Sequence, residues 1–130
     1  MAAAFEVLGR AIPGPGGRRI AVLGDMLELG DEAAALHAKL AEPLQANGID
    51  LVFTAGSAMS NLDHALPAAM RAGHAADSAS LAPLVAEAVR GGDVVTVKGS
   101  AGSRMGVVVH ALQALDGAGS AERPQAADAG

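Results

Sequence analysis

Arg19-Ile20-Ala21-Val22-Leu23-Gly24-Asp25 is the stretch whose reading decides the fold. Its apolar residues run continuously instead of alternating, and they stop at a glycine. That pattern suits a strand buried on both faces of a parallel sheet, where neither side is left to water. The same grammar recurs twice, in Leu51-Val52-Phe53-Thr54-Ala55 before Gly56 and in Val94-Val95-Thr96-Val97-Lys98 before Gly99. The segments between these runs are long enough for helices. Leu36, Leu40 and Leu44 recur every four residues as one apolar stripe, with Asp31 as a candidate N-cap and Asn47-Gly48 as a stop. Pro43 is expected to kink or split that helix near its end.

A second helical stretch is expected from Ser60 to Arg71, interrupted by Pro67, followed by a weak strand from His74 to Ala76. A third runs from Leu81 to Arg90 and ends at Gly91-Gly92. A last helix, from about Ser103 to Leu115, buries Met105, Val108, Val109 and Leu112. Strand, glycine and helix, three times over, predict an α/β domain with a parallel sheet, flanking helices and right-handed crossovers. A first helix, Ala2 to Ala11, is joined to the first strand through Gly14-Pro15-Gly16-Gly17. Doubly wound domains usually open on a strand, so either this domain is unusual or its opening strand lies outside this chain. Residues 117–130 have no periodicity and are expected to form a disordered tail, leaving residues 1–116 as the domain.

Composition narrows the function classes. The chain has 130 residues, 51% apolar but only 2% aromatic, so its core must be aliphatic and few rings can stack on bases. Nine basic residues against fourteen acidic ones leave a formal charge of −5, which argues against a nucleic-acid surface built on clustered Lys and Arg. Cysteine is absent, which removes disulfides, thiolate zinc sites and thiol nucleophiles together. No apolar run is long enough to span a bilayer and no signal-peptide pattern opens the chain, so a soluble cytoplasmic domain is expected.

In parallel sheets ligands bind beyond the carboxyl ends of the strands, so three loops hold the candidate chemistry. The richest is Lys98-Gly99-Ser100-Ala101-Gly102-Ser103-Arg104, where two cations, small hydroxyls and glycines precede a helix. It reads either as a phosphate or carboxylate site or as a Gly-rich turn with a solvated lysine and a serine cap. Asp25 reads either as a carboxylate serving a ribose hydroxyl or a cation's water, or as a turn residue bonding nearby backbone N–H groups. Glu28 reads as a solvated carboxylate. His37 lies beside the leucine stripe, at the edge of the core, while His64, His74 and His110 are scattered without metal-ligand spacing. No Walker A loop, dinucleotide glycine fingerprint or Gly-x-Ser-x-Gly elbow occurs in the chain.

Taken together, Ile20-Ala21-Val22-Leu23-Gly24-Asp25-Met26-Leu27-Glu28-Leu29-Gly30, His37 and Val97-Lys98-Gly99-Ser100 with Met105 resemble one family. It is the C-terminal, Rossmann-like domain of the UDP-N-acetylmuramoyl-tripeptide–D-alanyl-D-alanine ligases, the MurF branch of the Mur ligases. The resemblance covers about Met1 to Leu115. It implies a parent enzyme that uses ATP and Mg2+, bound mainly by domains absent here, to phosphorylate the tripeptide carboxylate. The amine of D-alanyl-D-alanine then attacks, in peptidoglycan precursor synthesis. The resemblance places Asp25 on the nucleotide side of the cleft and Lys98, Gly99, Ser100 and Arg104 on the substrate side, with His37 unassigned. The family often has Arg directly after Lys-Gly-Ser, where this chain has Ala101 and carries Arg104 three residues later. The family's Tyr-Asn-Ala-Asn-Pro segment is missing. The chain is therefore expected to be a fragment, inactive alone. The alternative is a stand-alone, non-catalytic module that binds a small anion or a partner protein.

Overall fold

The computed structural model describes residues 2–25, 33–99, 104–116 and 125–126. The three glycine-terminated runs are strands: β1 (Arg19–Gly24), β2 (Leu51–Ala55) and β4 (Val94–Lys98). In β1, every residue after Arg19 is buried, as a strand covered on both faces requires. A further strand, β3 (Arg71–Ala75), lies at one edge, and the sheet order is β3-β2-β1-β4-β5 with all pairs parallel. β5 is the two-residue stretch Gln125–Ala126, paired with Val94 and Val95. It falls within the segment expected to be disordered. An open strand edge presents unpaired N–H and C=O groups, which accounts for pairing in so unpatterned a sequence.

Alternate residues of the strands feed two separate cores. Ile20, Val22, Phe53, Ala55, Val95 and Val97 meet Leu81 and Val85 of α5 (Ser78–Ala88) and Val108 and Leu112 of α6 (Gly106–Asp116). On the opposite face, Ala21, Leu23 and Val52 meet Phe5 and Leu8 of α1 (Ala2–Arg10), Leu44 of α3 (Ala41–Ala46) and Leu62 of α4 (Ser60–Ala65). The chain steps from β1 to β2 to β3 with its helices on this second face. It then returns to β4 through α5 on the first. Reversing direction while changing face keeps every crossover the same hand.

Local chemistry corrects several expected boundaries. The leucine-stripe helix is split into α2 (Ala33–Lys39) and α3, with the break at Leu40. Pro43 has no N–H for the Lys39 carbonyl four residues back, so the ladder is interrupted a turn before the proline itself. The second helical stretch is interrupted at Pro67 as expected, with α4 ending at Ala65 and a single 3-10 turn following at Ala68–Met70, but it stops short of Arg71. Leu66 is extended (φ −77°, ψ 147°) as the residue before Pro67 must be, and Arg71 and Ala72 belong to β3. α5 begins at Ser78, three residues earlier than expected, because the Asp77 carboxylate accepts the Ser80 N–H at 2.8 Å. This bond holds the Asp77 carboxyl below its ordinary range.

The amino ends of the strands are bound by charge. Arg18 Nη2 donates to Asp93 Oδ2 at 2.8 Å and to the Ala88 carbonyl at 2.7 Å, while the Arg18 and Arg90 N–H groups donate to the same carboxylate at 2.9 and 2.8 Å. The Arg19 N–H donates to Asp50 at 2.8 Å, and its guanidinium to the Ala11 carbonyl. These contacts set β1 against β4 on one side and β2 on the other. Burial alone would push the Asp93 carboxyl up; the hydrogen bonds from Arg18 and Arg90 outweigh it and hold it below its ordinary 3.8. The bond to Asp93 likewise raises Arg18.

Asp93→Ala should cost about 3 kcal/mol in urea unfolding, because it strands the Arg18 guanidinium and two backbone N–H groups. A depressed carboxyl stabilises the fold fully above 3.8 and loses that contribution as pH falls through its folded value. The difference between wild type and variant should therefore shrink in acid.

Candidate functional site

Where the strand order reverses, the helix after β1 leaves on one face and the helix after β4 on the other. The gap between the carboxyl ends of these two strands is the crevice that such a sheet offers to a ligand. Leu23 pairs with Lys98 and Gly24 with Ala55, so the crevice end of β1 stands between the β2 loop and the β4 loop. Lys98 is half-buried at the end of β4 and Gly99 is buried. Ser100 lies outside the described residues, as do Glu28 and the expected caps Asp31 and Ser103. Arg104 re-enters just before α6, exposed and with φ 55°. Its carbonyl accepts the Val107 N–H at 3.2 Å in the first turn of α6. A left-handed backbone costs a non-glycine residue about 1 kcal/mol or more.

Asp25 follows β1 and is 9% exposed. Its Oδ1 accepts the Met59 N–H at 2.8 Å, and Oδ2 lies 3.4 Å from the Ala58 nitrogen. The carboxylate therefore ties the end of β1 to the loop that follows β2. Gly56, in that loop, has φ 105°, and a Cβ there would overlap the Asp25 carboxyl. Sequence reading located both positions at strand ends but missed the pairing. The signal was present in the register: Gly24 opposite Ala55 puts the next residues, Asp25 and Gly56, side by side.

His37 is fully buried on α2 rather than at the rim of the core. His74, exposed on β3, shares a 2.6 Å hydrogen bond with the buried Thr54 hydroxyl across the β2–β3 pair. His64 and His110 are exposed on α4 and α6. Among the described residues no three His, Asp or Glu side chains gather in a way that could hold a metal ion. No helix among them is long and apolar enough to cross a membrane.

A doubly wound α/β domain with a basic loop at its switch point is thus the class that fold and site define. The model of the family described as Mur ligase, glutamate ligase domain, matches residues 1–101. The chain belongs to that family. It is 39% identical over 116 residues to the UDP-N-acetylmuramoyl-tripeptide–D-alanyl-D-alanine ligase of Escherichia coli K12, a match covering 87% of this chain and 24% of that protein. Among solved structures it is similar to the MurF ligase of Thermotoga maritima in complex with ADP, with a TM-score of 0.68 and 26% identity. That match covers 89% of this chain and 26% of the other. The chain spans about a quarter of the length of these relatives.

Gly56→Ala should destabilise the domain by about 2 kcal/mol or more, combining an unfavourable positive φ with displacement of the Asp25 carboxylate. Thermal unfolding measures the loss. A Gly91→Ala control, where a Cβ meets nothing within 4 Å, should change far less.

Proposed function

We propose that this chain is the closure and substrate-binding domain of a MurF-type ligase, one that adds D-alanyl-D-alanine to UDP-N-acetylmuramoyl-tripeptide in the cytoplasm. The observation that carries the reading is the placement of Lys98 and Gly99 at the switch-point crevice. It is joined by the chain's 39% identity to the E. coli enzyme of that name. Lys98, the main chain at Gly99 and the Ser100 hydroxyl would hold the dipeptide carboxylate by charge-assisted hydrogen bonds. Arg104 would add a second cation from the other end of the same loop. Asp25 would border the nucleotide side, opposite the cations.

In the parent reaction the tripeptide carboxylate takes the terminal phosphoryl group of ATP, releasing ADP. The dipeptide amine attacks the acyl phosphate, phosphate leaves, and the ammonium formed gives up its proton. The residues of this chain orient the amine by fixing the far carboxylate, and closure of the domain keeps water from the acyl phosphate. ATP and Mg2+ fall mainly to other domains of the parent enzyme, so no step here runs through the metal. The resident residues bind and position; they do not transfer the phosphoryl group.

Titrating the labelled 130-residue chain with D-alanyl-D-alanine should shift the Lys98 and Gly99 amide resonances. Lys98→Ala should weaken that binding about tenfold, the worth of one charge-assisted hydrogen bond. Unchanged affinity in the variant would overturn the assignment. Incubated with ATP, the UDP-tripeptide and the dipeptide, this polypeptide by itself should release no phosphate above blank, and clear turnover would contradict the reading of it as a closure domain.

A further inference from the structure

Two loops flank the crevice end of β1, and one of them is supplied with an anion from within the chain. On the β2 side, the Asp25 carboxylate meets the N–H of Met59 at 2.8 Å and lies 3.4 Å from that of Ala58. On the β4 side, the loop opens with Lys98 and Gly99, and Lys98 pairs with Leu23, two residues before that carboxylate. Gly56 shows that the first loop is shaped around its occupant. With φ 105°, its backbone passes so close to Asp25 that any Cβ would overlap Cγ and both carboxylate oxygens. The carboxylate is nearly closed off from solvent, at 9% exposure.

We propose that Asp25 is a specificity-determining plug: as a built-in anion it occupies the Ala58 and Met59 amides, so an external carboxylate or phosphate is received on the β4 side, at Lys98–Gly99. This rests on the reading of Lys98 as the anion-receiving residue and deepens it by assigning the side of the crevice from which anions are turned away. A second anion near Met59 would meet donors already engaged and a like charge a few ångströms off. Near Lys98 it would meet a cation. Gly56 is a positioning residue in this scheme, since it acts only by leaving room for the plug.

The test uses the 130-residue chain and two probes, inorganic phosphate and acetate, read at the amide resonances of Ala58, Met59 and Gly99. In the wild type, phosphate should move Gly99 and leave Ala58 and Met59 in place. In Asp25→Ala, the Ala58 and Met59 amides should exchange faster, and saturating acetate should slow them again by about fivefold as it fills the vacated carboxylate position. A purely structural loss would not be rescued by a free carboxylate. Asp25→Ser, which shortens the side chain and so vacates the carboxylate position while keeping a polar group, serves if the alanine variant unfolds: acetate should again slow the Ala58 and Met59 amides. Phosphate shifting Ala58 and Met59 in the wild type as strongly as Gly99 would overturn the plug. So would amides that ignore both probes in a folded variant. A silent Gly99 with rescued Ala58 and Met59 would instead remove the Lys98 reading and leave the plug standing.

Discussion

The Asp93 carboxylate is the constraint on which the rest of this sheet depends. Its side chain has no exposed surface, and it is reached by the Arg18 guanidinium, the Arg18 N–H and the Arg90 N–H. One buried group thereby joins the end of α5, the entry to β1 and the entry to β4. A buried carboxylate with one arginine and no further donors would cost more in lost hydration than it returned; here the extra N–H groups satisfy its remaining lone pairs. Asp50 repeats the arrangement more simply on the β2 side, accepting from the Arg19 N–H while its own N–H donates to the Arg19 carbonyl. Both devices act at the amino ends of the strands. With register locked there, parallel pairing carries it to the other end, where Leu23 meets Lys98 and Gly24 meets Ala55.

The two ends of the sheet consequently differ in kind. At the amino end, charged groups pair within the chain and short turns close tightly: Gly14 donates to the Gly92 carbonyl at 2.9 Å, and a Cβ on Gly17 would collide with Gly92 backbone. At the carboxyl end, the strands release their loops into the gap left by the change of direction. Rigid packing below and loops above is what lets a small domain hold a few polar groups in place without a large aromatic core. Phe5 and Phe53 are the two phenylalanines of a chain without Trp or Tyr, each buried in a different core, and the rest of both cores is aliphatic apart from Met105 in one and Met59 in the other.

How much of this was legible follows from where the information lies. β1, β2 and β4 could be read directly, because burial on both faces forces continuous apolar runs and glycines mark their ends. β3 could not. Arg71-Ala72-Gly73-His74-Ala75 is an edge strand with an exposed arginine and histidine, and its identity comes from pairing with β2 and from the Thr54–His74 bond. The end of α4 was set by the extended backbone that Pro67 imposes on Leu66, the interruption that the proline already marks in the sequence. In the site, the positions of Lys98 and Asp25 followed from strand ends alone. The partners of Asp25 did not, since Met59 is 34 residues away and only the sheet register brings them together.

That register also explains why the same residue admits two readings from sequence and a more definite one from structure. A carboxylate one residue beyond a buried strand can face the ligand or the scaffold, and pattern alone leans toward the scaffold. Here the choice is made by a neighbour without a side chain. Gly56, opposite Asp25, leaves an opening on the β2 side just where two N–H groups converge, and the carboxylate turns into it. Had residue 56 carried a Cβ, that opening would be filled, and the charge of Asp25 would have to turn elsewhere, with the crevice and its Lys98 side within reach. The electrostatic polarity of the crevice, acid toward β2 and base toward β4, is thus a consequence of one glycine's backbone as much as of the charged residues themselves.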